Sequence, residues 1–396
     1  MAKTKGKTTA AEPAQQVDPA SSVVNQLMAR YPGRVFRGKD YTMPWMMRRL
    51  RTGILGLDID MSGGFPAGGL SVIIGPENVG KNYVLNATIA GQQRLFGDAC
   101  KIAVISSEMP YDKLHARNGG VKVALSDDEI DSLVRAAHEE GIEITDAEIL
   151  GWKEEVGSFL TVPPAPAEEL FDIAIDIIRS REFNLVGIDS FGALMSKDDE
   201  EKDFGDGEGR GGRGQAKLNT SFMNKLTAAM GCDAQGKPNL TCVLALNQVR
   251  DNQDRKTPYS PTTVEGGGRA LKHGRFVTVE LKPQEKIKAK IDGKDEVIGK
   301  AVGWTIMKQK AGGHDGHRGT YEYLYELNGI DRGKETLREA VDWGVVEKKG
   351  ATYSYDGMGI AVGIDNAAKV LNSTPELLEE IEKATLQAAG IRCLYK

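Results

Sequence analysis

Apolar residues occur in two alternating patterns along most of the chain. Short continuous apolar runs occupy residues 70–75, 101–106, 185–189 and 242–249, and each lies close to glycine or other turn residues. Between them, apolar positions recur every three or four residues, as in the stretch 167–181 with Leu170, Ile173, Ala174 and Ile177 on one predicted helix face. Buried strands separated by helices are typical of an α/β fold with a twisted, mostly parallel sheet covered on both faces.

A short segment precedes this pattern. Residues 1–17 are polar and predict a disordered tail, and residues 18–49 predict a helix followed by a lone strand over "VFRG". Asp18 suits the N-cap, Pro19 suits the first helical position, and the pair Pro32–Gly33 would stop the helix. Because neither element has a local packing partner, we expect the segment to dock on a neighbouring subunit.

The core is predicted over residues 50–332, with a small α+β domain over 333–396. Within the core, residues 121–157 predict a surface helical insertion, since Ser126 with Glu129 and Thr145 with Glu148 fit the capping-box pattern. Residues 196–217 and 250–275 predict loops, and loops this long are usually functional or disordered. In the small domain, an aromatic strand over "ATYSYDG" precedes a final helix opened by Thr374 and Pro375.

Composition narrows the choice of partners and compartment. The net charge of −5 over 396 residues gives no global basic field, so any nucleic-acid binding needs a local patch. Four scattered cysteines favour a reducing compartment over a disulfide framework or a zinc site. No apolar run approaches the roughly 20 residues of a membrane span, and the polar start lacks the apolar core of a secretory signal. We therefore expect a cytoplasmic protein without a membrane partner.

The strongest chemical motif is "GPENVGKN", a phosphate-binding loop with an unusual last residue. It follows a predicted strand and precedes a predicted helix, which is the context that the motif G-x-x-x-x-G-K requires. Backbone N–H groups and the helix N-terminus would cradle phosphates, and Lys81 would reach the β- and γ-phosphates. The alternative interpretation, a chance glycine-rich turn, is less favoured than a phosphate-binding loop. The predicted nucleotide contacts are Gly75, Pro76, Glu77, Asn78, Val79, Gly80, Lys81 and Asn82.

Two carboxylates end neighbouring predicted strands. Asp189 closes "LVGID" and is predicted to bind the metal, while Glu108 follows "KIAVISS" and is placed to activate water. Either carboxylate could instead be an ordinary strand-end residue. Since ligands bind at the carboxyl ends of parallel strands, the functional reading is favoured beside a phosphate-binding loop.

Several segments in register resemble the RecA-type recombinases of bacteria and their phages. They include "RTGILGLDIDMSGGFPAGGLSVIIGPENVGKN", "VISSEMPYDKLHARNGGV", "LVGIDSFGAL", "LALNQVR", "TTVEGGGRALKH", "TIMKQKAG", "GVVEKKGATYSYDG" and "STPELLEEIEKA". The resemblance runs in order from about residue 27 to residue 388. It implies a RecA-like ATPase core, an N-terminal segment that docks on the next protomer, and a small C-terminal domain.

The resemblance also implies roles for individual residues. Glu108 would be the general base, Gln248 would sense the γ-phosphate, and His115 would stack on adenine. Lys308 and Lys310 would reach the ATP site of the neighbouring subunit and stabilise transition-state charge. The two predicted loops would face DNA, with phosphate contacts from Arg250, Arg255, Lys256, Arg269, Lys272 and Arg275, some of which could instead be filament contacts. Arg210 and Arg213 are not implied by the resemblance: they could contact DNA phosphates as flexible arginines, or the run could simply be disordered.

The chain departs from the family pattern at four places. His115 replaces a stacking tyrosine, the insertion 121–157 is extra, and the first loop gains Arg210 and Arg213. Asn82 stands where a Ser or Thr hydroxyl normally binds Mg²⁺, and its amide oxygen lies one bond further out. We expect slower turnover rather than loss of activity, because losing one supporting group typically costs about 10–100-fold.

The predicted function is an ATP- and Mg²⁺-dependent recombinase that forms a homo-oligomeric helical filament on single-stranded DNA and pairs it with double-stranded DNA. Its setting would be a bacterial or phage-infected cell. One alternative is a filament protein that coats DNA and binds ATP with little or no hydrolysis. The other is a DNA motor of the same fold, such as a ring helicase.

Overall fold

A computed structural model describes the chain over residues 23–191, 211–251, 263–265, 268–291 and 293–391. Side chains are not described at positions 211–216, 250–251, 263–265 and 268–269. The described residues form two compact units, one of residues 23–42 with 232–237, and one of the remainder. The domain boundaries predicted at residues 50 and 333 stay predictions.

The smaller unit contains one α-helix and one short 3₁₀-helix. Helix α1 (Val23–Arg30) buries none of its side chains, and the 3₁₀-helix covers Gly38–Asp40. The predicted start of α1 at Asp18 and Pro19 lies outside the described residues. In the single chain, residues 35–37 of the predicted strand "VFRG" are coil, and no strand pairs with them among the described residues, so the strand and its docking on a neighbouring subunit stay predictions. A strand needs a partner for its backbone hydrogen bonds, and this segment has none here.

The larger unit is built on a sheet in which nine described strands run in the order β11-β10-β9-β3-β7-β6-β4-β5, with β8 beside β7. Strands β9, β3, β7, β6, β4 and β5 pair in parallel, which confirms the predicted α/β architecture. Strands β10 and β11 extend the sheet antiparallel. The bounds are β3 (Gly69–Gly75), β4 (Lys101–Ser106), β5 (Ser158–Val162), β6 (Leu185–Asp189), β7 (Cys242–Asp251), β8 (Thr263–Glu265), β9 (Val277–Ile291), β10 (Lys294–Gln309) and β11 (Arg318–Leu324).

Helices cover both faces of this sheet. Alternate side chains of β3 point to opposite faces, so Ile73 packs with helix α4 (Lys81–Phe96), while Val72 packs with helix α8 (Ala167–Ser180). The predicted face of α8 was slightly misplaced. Leu170 and Ala174 are buried as expected, but Ile173 and Ile177 are only half-buried. Phe171, Ile175 and Ile178 complete the buried face instead.

The insertion is helical, as predicted. Helix α6 (Asp127–Glu139) and helix α7 (Asp146–Lys153) both begin with complete capping boxes. At α6 the Ser126 N–H donates to Glu129 Oε2 at 2.7 Å, and the Glu129 N–H donates back to Ser126 Oγ at 3.3 Å. Such reciprocal caps satisfy two otherwise unpaired donors at each helix start, so local sequence alone places these boundaries.

The two predicted loops are shorter than expected. Helix α9 (Gly211–Ala229) occupies the end of the range 196–217. In the range 250–275, strand β7 continues to Asp251 and helix α10 (Gly268–Gly274) forms the end. The remaining small elements of the core are α2 (Pro44–Met47), β1 (Arg49–Leu50), α3 (Leu55–Asp60), β2 (Phe65–Pro66), the 3₁₀-helix Gly97–Ala99 and α5 (Lys113–Asn118).

The C-terminal region has a hydrophobic cluster of its own, centred on Leu337, Leu371 and Ile381. Arg332 anchors it: its guanidinium donates to both carboxylate oxygens of the buried Glu382 at 2.6 and 2.8 Å. The elements are α11 (Arg332–Asp342), β12 (Glu347–Lys349), β13 (Thr352–Tyr355), β14 (Met358–Val362), α12 (Ile364–Ser373) and α13 (Pro375–Ala388).

Candidate nucleotide site

The carboxyl ends of four neighbouring parallel strands open into one cavity of about 530 Å³. Register brings the strand ends level, because Gly75 of β3 lies opposite Gln248 of β7 and Ser106 of β4 lies opposite Asp189 of β6. This edge of an open parallel sheet is where ligands bind in α/β proteins. The side chains predicted for nucleotide chemistry that line the cavity are Glu77, Asn78, Lys81, Asn82, Glu108, His115, Asp189 and Gln248.

The phosphate-binding loop is folded in the conformation that its motif requires. Asn78 and Gly80 have left-handed backbone angles, with φ of 56° and 113°, and helix α4 begins directly after Gly80. A Cβ at Gly80 would meet the Tyr321 hydroxyl at 3.2 Å, so a side chain there would disturb the packing beneath the loop. Val79 is 2% exposed and fixes the loop to the core. The N-terminus of α4 therefore faces the cavity with unpaired N–H groups suited to phosphate.

Lys81 is folded back onto its own loop. Its Nζ donates to the carbonyl oxygens of Gly75 at 3.1 Å and Pro76 at 2.7 Å, and the residue is only 8% exposed. Burial lowers the pKa of Lys81, while the negative charges of Asp189 and Glu108 oppose that shift. The ammonium group thus lies at the floor of the cavity, within the cradle formed by the loop.

Asn82 is in direct contact with Asp189. The Asn82 Nδ2 donates to Asp189 Oδ2 at 3.0 Å, so the amide presents its N–H side to the carboxylate. Burial raises the pKa of Asp189, and the hydrogen bond from Asn82 acts in the opposite direction. The two predicted metal ligands are therefore adjacent, but one oxygen of Asp189 is engaged by an amide that a Ser or Thr could not supply.

Glu108 is oriented by two side chains from neighbouring strand ends. Its Oε1 accepts from Ser190 Oγ at 2.6 Å and from Gln248 Nε2 at 3.5 Å. Ser190 is itself fixed, since its backbone N–H donates to Ser107 Oγ at 2.9 Å. The predicted base and the predicted sensor are thus brought into contact. Sequence reasoning missed Ser190, although it directly follows Asp189 in the strand-end motif.

The far end of the cavity is aromatic. His115 lies on α5, exposed, and its backbone N–H is capped by Asp112 Oδ1 at 2.8 Å. Two further lining residues were not singled out from the sequence. Lys300 Nζ donates to the Asn78 carbonyl and lies 5.6 Å from the centre of the Tyr323 ring. They come from the antiparallel strands β10 and β11, whose position beside the loop no local pattern indicates.

Lys308 and Lys310 lie outside this cavity, at the C-terminal end of helix α10. Lys310 Nζ donates to the His273 carbonyl at 2.7 Å, and Lys308 Nζ donates to the same oxygen at 3.2 Å and to the Lys272 carbonyl. Both cations therefore bind the negative end of the α10 dipole. Both lysines share a target in this chain, which is a helix end, and their predicted role at the ATP site of a neighbouring subunit stays a prediction.

The predicted DNA contacts are only partly described. Arg210, Arg255 and Lys256 lie outside the described residues. Arg213, Arg250 and Arg269 lie on α9, β7 and α10, but their side chains are not described. Lys272 is exposed on α10. Arg275 is 7% exposed just before β9, so the structure does not support its prediction as a DNA contact, because a buried guanidinium cannot reach a phosphate without a local rearrangement.

The described residues lack two kinds of feature. They contain no helix that is long and apolar enough to cross a membrane. They also contain no cluster of three or more His, Cys, Asp or Glu side chains arranged to hold a metal ion.

Comparisons with known proteins agree with the resemblance seen in the sequence. The RecA N-terminal domain family matches residues 134–315, and the RecA C-terminal domain family matches residues 334–390. The protein RecA of Ruminococcus albus is 31% identical over 333 residues, which cover 84% of this chain and 70% of that protein. The protein RecA of Azoarcus sp. (strain BH72) is 30% identical over 364 residues, covering 91% and 90%. A crystal structure of the RadB recombinase aligns with a TM-score of 0.43 at 16% identity, over 71% of this chain and 98% of that one.

Proposed function

This chain belongs to the RecA family, and from that premise we propose that it is an ATP-dependent recombinase that forms filaments on single-stranded DNA and catalyses homologous pairing and strand exchange. The observation that carries the proposal is the cavity in which Lys81, Glu108, Asp189 and Gln248 meet at four strand ends. Its setting would be the cytoplasm of a bacterial or phage-infected cell.

The phosphate-binding loop and Lys81 fit a nucleoside triphosphate. The left-handed residues Asn78 and Gly80 shape the cradle, and the start of α4 supplies N–H donors. Lys81, which now donates to two loop carbonyls, would turn its donors to phosphate oxygens. His115 and Tyr323 line the cavity and offer rings to the base.

Asp189 and Asn82 are the residues that would hold Mg²⁺. The oxygens of a carboxylate and an amide are hard donors of the kind that this ion prefers. Here the amide nitrogen faces Asp189, so direct ligation by the Asn82 oxygen requires the amide to turn. When bound, the ion would neutralise charge on the phosphates.

Glu108 is proposed to take the proton from the attacking water. Ser190 and Gln248 hold its carboxylate at the end of β4. Because Gln248 lies in the strand that leads into residues 250–275, it would link the state of the γ-phosphate to the proposed DNA loops. Their cations, including Lys272, would bind phosphates, so DNA affinity should fall with salt at a log–log slope of about −0.7 per neutralised phosphate.

Filament formation is supported by the uncovered side chains of α1. Val23 is 69% exposed, Val24 46% and Leu27 41% in the single chain. We propose that this face docks on the next protomer. Lys308 and Lys310 would leave the end of α10 and reach the nucleotide of the adjoining subunit, where two cations would stabilise transition-state charge.

The decisive experiment is ATP hydrolysis by the full chain with and without single-stranded DNA, for wild type and Glu108→Gln. We expect DNA-stimulated turnover that falls by about 10²–10⁴ in the variant, since general base catalysis supplies that much. ATP binding should persist in the variant. Wild-type turnover that is absent, or equal in the two proteins, would contradict the assignment of Glu108.

One observation favours a second candidate, a DNA-coating filament with little hydrolysis. The Asn82–Asp189 hydrogen bond occupies part of the proposed metal site. A single-turnover assay on DNA separates the two functions, because the coating protein would bind ATP without releasing phosphate. Rings rather than helical filaments in electron micrographs would instead favour a motor of the same fold.

A further inference from the structure

A second cavity, of about 280 Å³, lies between the core and the C-terminal helices. One wall comes from the chain around β1 and from α4, and the other comes from α11 and α13. None of its residues belongs to the nucleotide site. The charged side chains that line it are Arg49, Arg51, Asp58, Arg94, Arg332, Glu379, Glu382 and Lys383.

Five of these eight side chains are cationic and three are acidic, in a chain whose net charge is −5. The buried carboxylates already have partners. Glu382 accepts from Arg332 and lies 3.6 Å from Arg51 Nη1. Asp58 accepts from the Thr52 N–H at 2.8 Å, the Thr52 hydroxyl at 2.9 Å and the Gly53 N–H at 3.1 Å. Positive charge is therefore in excess at the remaining surface of the cavity.

Arg94 contributes to this excess positive charge. Its guanidinium makes no hydrogen bond or ion pair with any described residue. Its guanidinium lies against two glycines, since Cβ atoms built at Gly91 and Gly53 would be 3.8 and 4.0 Å from its Nη2. Desolvation by the surrounding protein lowers the pKa of Arg94, and the neighbouring Arg332 and Arg51 lower it further, while Glu382 and Glu379 oppose the shift. The Arg94 side chain is exposed at the cavity and lies near two other guanidinium groups, an arrangement that an anion would stabilise.

We propose that this cavity is a binding site for a phosphate oxyanion, held by Arg94 together with Arg51 and Lys383. A guanidinium offers parallel N–H donors that match two phosphate oxygens, and a lysine adds a point charge. The volume leaves room for a diphosphate. Since Arg94 and Arg51 belong to the core wall and Lys383 to the C-terminal wall, the ligand would tie the two together.

Inorganic pyrophosphate is the probe, added without divalent metal and measured by thermal unfolding at constant ionic strength. The Lys81→Ala background prevents a signal from the phosphate-binding loop. In that background we expect Tm to rise by roughly 3 °C at a hundredfold excess over Kd. Adding Arg94→Ala should abolish the rise. The matched control is Arg179→Ala, which removes an exposed arginine from the last turn of α8 and should leave the rise intact.

No rise in the Lys81→Ala protein would overturn the proposal, and so would a rise that survives Arg94→Ala. Titration calorimetry with the same proteins checks that the loss is one of binding and not of folding. A short double-stranded DNA distinguishes the two sources of phosphate. If it competes with pyrophosphate in an Arg94-dependent manner, the site takes a backbone phosphate, and if it does not, the site takes a free oligophosphate.

Discussion

Replacing Asn82 with Thr is expected to tighten Mg²⁺ binding and to speed ATP turnover. The amide donates to Asp189 Oδ2 at 3.0 Å, which engages one oxygen of the carboxylate proposed to support the metal. Threonine removes that donor contact and places a hydroxyl one bond closer to the backbone. The change therefore frees Asp189 and restores the ligand type that the motif normally has.

The size of the effect follows from these two changes. A supporting group at a metal site typically contributes about 10–100-fold in affinity or activity, which corresponds to about 1.4–2.7 kcal/mol. The protein without nucleotide should become less stable, because a hydrogen bond to a charged group is lost. Such bonds contribute about 1.5–3 kcal/mol when buried, and Asn82 is exposed, so we expect about 1 kcal/mol.

The assay is DNA-stimulated ATP hydrolysis as a function of Mg²⁺ concentration, with thermal unfolding of the same proteins. The half-saturating Mg²⁺ concentration should fall about 10-fold or more, while Tm without nucleotide drops by roughly 1 °C. Asn366→Thr is the matched control, since Asn366 is also an exposed asparagine in the first turn of a helix. A lower Tm with an unchanged Mg²⁺ dependence would refute the reasoning, because the bond would be lost without any gain at the metal.

Three further outcomes are expected. Ser190→Ala removes the 2.6 Å hydrogen bond that orients Glu108, so kcat should fall about 10-fold with little change in ATP affinity, and an equal loss of nucleotide affinity would point to a folding defect. Burial raises the pKa of Glu335 to about 7. The contribution of this side chain to the free energy of unfolding is therefore present below about pH 4.5 and is lost as pH rises to about 7. In chemical denaturation, Glu335→Gln should stabilise the protein by up to about 3 kcal/mol at pH 8 and leave its stability at pH 4 unchanged. Arg332→Ala leaves the 3% exposed Glu382 without its bidentate partner and should cost about 3–5 kcal/mol of unfolding free energy, whereas Arg179→Ala should cost under about 1 kcal/mol.

Local signals in the sequence predicted the elements that local physics controls. The capping residues Ser126 and Thr145 start their helices where expected, and the run 69–75 forms a fully buried strand. Elements that depend on distant partners were harder to predict from the sequence. Strand β5 has mostly exposed side chains and no continuous apolar run, and it exists because its backbone pairs with β4. The segment "VFRG" has strand propensity, but no described strand pairs with it.

In the nucleotide site, too, some features were predictable from the sequence and others were not. The strand-end positions of Glu108 and Asp189 were predictable, because parallel strands end at one edge of the sheet. Gln248 was assigned only through the resemblance to the RecA family. The orientation of the Asn82 amide was not predictable. The amide carries both the oxygen that sequence reasoning assigned to a metal and the nitrogen that contacts Asp189, and the sequence does not indicate which of the two faces the carboxylate. Lys300 and Tyr323 reach the cavity from strands that lie more than 200 residues after the loop, so no local pattern connects them to it.

The hydrogen bonds of Lys308 and Lys310 to the end of α10 bear on how an unassembled chain behaves. A cation at a helix C-terminus gains only about 0.3–1 kcal/mol at an exposed position, so both lysines are kept occupied but are easily released. Under the proposed function, a solitary subunit would spend little ATP, and recruitment into a filament would need to break only weak contacts. The rate of ATP hydrolysis by a subunit would then depend on how many neighbours it has. The cell would use ATP in proportion to filament length rather than to protein concentration.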